Sequence, residues 1–237
     1  MSPNRQRALL DRLEARFAKT WQREIARAMR AAATEYAKSD SFLLAMAKHK
    51  ENATALIRRT YEIAGNEFAQ PIYEKARGRG MVTKDFENFA RIMERFILTV
   101  GADKVTQITE TTQSQIRDTI NDGITEGLGV AAIASNIRSN AAIMAGVRSA
   151  VIARTETHSA SQWAQVEAIR DTGLRLRKEW VAAVDERTRV DHMDANGQIV
   201  GPDDVFDVGG ESLAFPGDPA GSAENVINCR CVLNFVE

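Results

Sequence analysis

Cysteine is almost missing from this chain: 237 residues contain two, Cys229 and Cys231. Two cysteines so close together exclude a disulfide-stapled secreted scaffold and leave metal ligation or buried free thiols. Long apolar runs are missing too, which excludes a membrane-spanning helix. No secretory segment opens the chain, because Met1-Ser2-Pro3-Asn4-Arg5-Gln6-Arg7 leads straight into a charged helical pattern. Internal repeats and low-complexity linkers are absent. A protein made and kept in a cytoplasm, with no membrane contact, is the expectation. What is present is a hydrophobic content of 44%, ample for a core in one large or two modest domains.

A net charge of −1 hides an asymmetry. Residues 1–30 carry eight Lys/Arg against three Asp/Glu, whereas residues 185–237 carry three Arg against eleven acids. Wound as a helix at about 100° per residue, the first segment places Arg12, Arg16, Lys19, Arg23, Arg27 and Arg30 on one narrow stripe. Beside it runs an apolar stripe of Leu13, Phe17, Trp21, Ile25 and Met29. Such a helix suits double-stranded DNA or an acidic protein surface; an ordinary solvated face has the same pattern.

From about residue 5 to 172 the periodicity is helical almost throughout. Breaks are expected at Lys38-Ser39-Asp40-Ser41, Gly65-Asn66, Gly78-Arg79-Gly80, Gly101, Gly123 to Gly129, and Gly173, giving six or seven helices. Phe86, Phe89, Ile92, Met93, Phe96, Ile97 and Val100 make one clear stripe. Ile108, Thr112, Ile116, Ile120 and Ile124 make a thin seam on a polar helix, suited to an oligomer or partner contact and equally to intramolecular bundling. Ala141 to Thr172 reads as one long helix.

After Gly173 the period changes to two. A strand is expected through Trp180 to Val184, then a helical turn with Asp185 as its N-cap, an Asn196-Gly197 hairpin turn, a long Gly/Pro loop and a final strand from Cys231 to Val236. The expected fold is therefore mainly α with a small α+β C-terminal module. A helical bundle or extended helices would occupy 1–140, and a loop-rich module with a few short strands 141–237.

Three chemistries can be read into that module. Cys229 and Cys231, two apart in an extended chain, point to one face. With His192 they could hold a structural zinc ion, the fourth ligand being Asp185, Asp191, Asp194 or His158; two buried thiols without metal fit the same pattern. A Cys–His nucleophile has little support, because these cysteines lie at a strand entrance in an acidic region. The polar residues otherwise read as staples. Asp185 can accept backbone N–H groups, Arg187 and Arg189 can fork onto carboxylates such as Asp218 or Glu156, Arg154 can pair with Glu156 one turn away, and Asn225 and Asn228 can satisfy loop backbone. No catalytic residue is expected.

The ordered set Ala153-Arg154-Thr155-Glu156-Thr157, Gly173, Trp180, Asp185-x-Arg187-Thr188-Arg189-x-x-His192, Asn196-Gly197-Gln198, Phe206, Pro216-Gly217-Asp218-Pro219 and Ile227-Asn228-Cys229-Arg230-Cys231 resembles the phage Mu F-like head morphogenesis family of minor capsid proteins. The likeness covers roughly the C-terminal half. It implies a virion protein built in few copies into the prohead of a tailed bacteriophage. Its partners would be portal, capsid or scaffold proteins. It would lie inside the head near the portal vertex and take part in DNA packaging or ejection. Some members carry a toxin domain after this module; with the last residue at Glu237, no such effector is expected here. Two alternatives stand beside this: a nucleic-acid-binding accessory protein using the basic helix, and an enzyme centred on His192 with Cys229 or Cys231.

Overall fold

The computed structural model describes residues 1–81 and 86–237, most of them helical. Pro3, whose missing N–H costs nothing in a first turn, begins α1 (Pro3–Ser39). Along it Leu10, Leu13, Phe17, Trp21, Ile25 and Met29 are all buried, at the three- and four-residue steps that keep side chains on one face. α1 ends at Asp40, whose φ of 52° is left-handed and whose N–H returns to the Tyr36 carbonyl at 3.0 Å. α2 (Leu43–Gly78), α3 (Phe86–Phe96), α4 (Ala102–Thr125) and α5 (Val130–Thr172) follow, with a π-helical turn over Ile97–Gly101 between α3 and α4.

Five α-helices among the described residues thus cover the span where six or seven were expected. Gly65-Asn66 does not interrupt α2, and neither does Pro71. A Cβ on Gly65 would come within 2.0 Å of Met93 Cε, so that glycine permits close packing and is not a turn. Gly101 is likewise helical, with φ −61° and ψ −39°. At Gly65 packing outweighs the roughly 1 kcal/mol that glycine costs a helix. α5 also begins earlier than expected, at Val130 instead of Ala141. Of the expected stripe, Phe89, Met93, Phe96 and Ile97 are buried; the Phe86 side chain lies outside the described residues.

Contacts gather the chain into two compact units, one of Met1–Glu14, Thr60–Phe96 and Arg154–Glu237, the other of Ala15–Arg59 and Ile97–Ala153. The expected boundary at residue 140 falls inside α5, whose residues 130–153 belong to the second unit and 154–172 to the first. In the second unit Ile25 and Met29 meet Ile116, Ile120, Ile133 and Ile137 across a bed of small alanines, including Ala28, Ala32 and Ala134. The thin seam of α4 is therefore covered from within its own unit as far as Ile120. Only its last member, Ile124, is exposed, at 61%.

In the first unit an antiparallel sheet has the order β2-β1-β5, with β1 Arg177–Val181, β2 Ile199–Val200 and β5 Val232–Val236. Trp180 lies opposite Leu233, and Val181 opposite Val232. β1 stops three residues short of the expected Val184, which has φ 56°, a conformation no strand contains. The expected long loop holds a further hairpin, β3 (Phe206–Val208) and β4 (Glu211–Leu213), turned by Gly209-Gly210 with φ 60° and 82°. Short helices α6 (Val190–Asp194) and α7 (Ala223–Val226) complete the module. Its core joins Trp180, Phe206, Leu213, Phe215 and Leu233 with Cys229 and Cys231.

Candidate functional site

One turn of α6 is enough to direct His192 inward, at 2% exposure, and leave Met193 outside, at 40%. Asn228, left-handed at φ 60°, turns the chain after α7, and Cys229 and Cys231 follow on the segment that leads into β5, with both thiols buried. His192 Nδ1 lies 3.3 Å from Cys231 Sγ and 3.7 Å from Cys229 Sγ. The three donor atoms all fall within 4.8 Å of one another, a group able to hold a metal ion. Burial pushes the Cys229 thiol up, whereas a hydrogen bond from Cys229, helped by His192, pulls Cys231 down. The Trp180 ring meets His192 edge-on at 5.6 Å. His192 Nε2 and Trp180 Nε1 are buried without a hydrogen-bond partner among the described residues.

Around this group the polar residues hold separate segments together. His158 Nε2 contacts the Cys231 carbonyl at 2.6 Å, and burial lowers the pKa of that imidazole. Arg154 donates to Glu14 Oε2 at 3.0 Å and to Asn228 Oδ1 at 3.2 Å, while Thr155 Oγ1 accepts the Asn228 N–H. Glu156, 4% exposed, accepts the Tyr61 hydroxyl at 2.6 Å. Asn196 Oδ1 accepts the Ala182 N–H at 2.8 Å, and the Gly197 N–H returns to the Trp180 carbonyl at the same distance. Asp218 ties its loop by accepting N–H groups from Ala214 and Ala220. His158, Thr155, Asn196 and Asp218 thus fix backbone, while Arg154 and Glu156 tie side chains of separate segments together.

A family model described as phage Mu protein F like protein matches residues 114–234, a span that takes in α5, the sheet and the whole His/Cys/Cys group. The chain belongs to that family. Membership sets bacteriophage head morphogenesis as its functional class. The Mu F-like chain is also 33% identical over 121 residues to the NAD(+)--arginine ADP-ribosyltransferase EFV of Enterococcus faecalis, covering 49% of this chain and 24% of that protein. It is 33% identical over 93 residues to the uncharacterized protein YqbB of Bacillus subtilis, covering 38% and 30% respectively. The chain thus spans less than a third of the length of either relative. No solved structure matches it.

Within the Mu F-like module several expected partnerships are exchanged. Asp185 caps no helix: α6 begins five residues later behind Arg189, and Asp185 opens a turn in which its carboxylate accepts the Arg187 N–H at 2.9 Å. The fork onto a carboxylate is made by Arg230, which grips Asp185 with both terminal nitrogens, Nη2 to Oδ1 at 2.5 Å. Arg189 bonds the Ile227 carbonyl at 2.6 Å instead of a carboxylate, and Arg154 pairs with Glu14, 140 residues away, instead of with its helical neighbour. Asn196-Gly197 closes the end of α6 and is not a two-residue hairpin turn. No fourth ligand gathers with the trio among the described residues; Asp185 is taken by Arg230, and His158 by the Cys231 backbone. Sequence reasoning missed Lys178. It is 1% exposed, donates to the carbonyls of Asp204 and Ala214 at 2.7 and 2.9 Å, and lies 5.5 Å from the Phe206 ring centre. Its inward position in the period-two stretch was the available signal.

Far along the chain, Arg12, Arg16, Lys19, Arg23, Arg27 and Arg30 are all exposed on α1. Arg27 is engaged by Glu24 through two bonds of 2.9 and 2.7 Å. No helix among the described residues is long and apolar enough to cross a membrane.

Proposed function

We propose that this Mu F-like chain is a minor capsid protein, incorporated in few copies into the prohead near the portal vertex, where it binds portal, capsid or scaffold proteins. The observation that supports this is the family match over residues 114–234, combined with a module whose polar residues are spent on holding its own backbone. Residues 141–237 act as the rigid head-assembly module, and 1–140 supply the contacts to portal and scaffold. The role is architectural and not catalytic: the thiols and the imidazole that an enzyme would use are each no more than 2% exposed. In this reading the His/Cys/Cys group holds a structural zinc ion. Purified chain should co-sediment with portal or proheads at physiological salt; absence from both would overturn the assignment.

The exposed stripe supports a second contact, to double-stranded DNA during packaging or ejection. Six outward cations on one helix offer phosphate ligands, and Arg12, Arg16 and Arg23 are the residues to test first. Binding through phosphates releases counterions and must weaken steeply with salt. Undetectable DNA affinity at low salt would end this part of the proposal while leaving the head assignment standing.

A further inference from the structure

We propose that His192 Nδ1, Cys229 Sγ and Cys231 Sγ bind one zinc ion that latches α6 to the entry of β5, with His158 as the positioning residue of the centre. This rests on the structural-zinc reading above and adds the coordination, the mechanical role and the second layer.

The distances carry the argument. Tetrahedral zinc with ordinary Zn–S and Zn–N bonds requires N···S separations of about 3.6 Å, and the two observed values, 3.3 and 3.7 Å, lie on either side of it. Two thiolates and an imidazole select a borderline-soft ion over magnesium or calcium. Two thiolates also cancel the charge of a divalent cation, so the filled site is neutral where water is excluded. Among the described residues three protein ligands gather, which leaves the fourth position of the ion to a small exogenous ligand. The ligands come from segments 37 residues apart, so the ion closes a long loop that a single short helix would otherwise leave to weak packing.

His158 holds the second ligand by its backbone. Its Nε2 meets the Cys231 carbonyl at 2.6 Å. Its other side is closed by Gly217, at φ +78°, where a Cβ would come within 2.6 Å of Nδ1. The ring is thus clamped between α5 and the 215–219 loop, and the position of Cys231 is set by it.

The test uses the full chain, stripped of metal under reducing conditions and titrated with zinc against a chromophoric chelator, then with cobalt(II). One equivalent should bind, and the cobalt form should show thiolate charge-transfer absorption that C229S and C231S each diminish. X-ray absorption should give two sulfur and two nitrogen or oxygen neighbours. H158A should weaken zinc affinity at least tenfold with helicity unchanged, and H158Q, whose amide N–H takes the place of the Nε2 donor, should recover most of the loss. Failure of the folded wild-type chain to take up zinc or cobalt overturns the site. Unchanged zinc affinity in H158A, or in H158F should H158A not fold, overturns the positioning role. A chain found in proheads without metal overturns the latch alone; one that binds zinc and is absent from proheads overturns the head assignment alone.

Discussion

The residues that decide behaviour here are charged groups placed where water is scarce or where an arginine fork is close. Burial lowers Lys178 from its ordinary value to about 8. Between that value and the ordinary lysine pKa the unfolded chain binds a proton that the folded chain does not, so stability must rise with pH across this window. The wild-type unfolding free energy should increase from about pH 8 to about pH 10, by on the order of 2–3 kcal/mol, and K178M should lose that increase. An equal increase in both proteins would refute it. Asp185 runs the opposite way: the Arg230 fork holds its carboxyl well below the usual range. Its stabilising effect is present above the ordinary aspartate pKa and is lost as pH falls. In R230A, NMR titration should find Asp185 back in the normal carboxylate range. Asp185 and Arg230 were named by the sequence, but not their pairing, and Lys178 was not named at all. Arg230, sandwiched between two cysteines, meets Asp185 only because the turn after β1 and the segment before β5 come together, and residues 45 positions apart leave no local pattern to read.

At the scale of elements, close approach between helices sets the tolerances. Gly123 lies against Ile133, and a Cβ there would come within 2.6 Å of its Cγ1, which the single favoured χ1 of a β-branched residue in a helix holds in place. G123A should therefore destabilise the chain by about 1–3 kcal/mol despite alanine's better helix propensity, read as a lower thermal midpoint; a higher midpoint would show that α4 and α5 can separate at no cost. Ile116, fully buried in the same cluster, should cost about 2–5 kcal/mol as I116A. Helix existence was legible from a period of 3.6 repeated over many turns. Boundaries were less so, because Gly65 looks like a stop until a packed neighbour supplies the reason for it. β3 and β4 were invisible, since three residues each cannot establish an alternation.

At the scale of the whole molecule, the proposed function assigns one role to the C-terminal module and another to the exposed basic stripe of α1. If the stripe meets DNA, the double substitution R16E/R23E should reduce the salt slope of binding by roughly 2, about 0.9 per lost phosphate contact, while prohead incorporation persists. A slope unchanged in this variant would remove the two arginines from the contact.

The sequence by itself determined the helical character, the amphipathic first helix, the switch to short strands after Gly173 and the family, because periodicity and ordered motifs are local properties that survive without coordinates. Tertiary structure alone decided that His192, Cys229 and Cys231 converge, that His158 holds the Cys231 carbonyl and that Arg154 reaches Glu14. It also decided that the chain folds into two units interleaved along the sequence. Each of these depends on segments far apart in sequence meeting in space, and which distant donor reaches which acceptor is settled by packing, not by spacing.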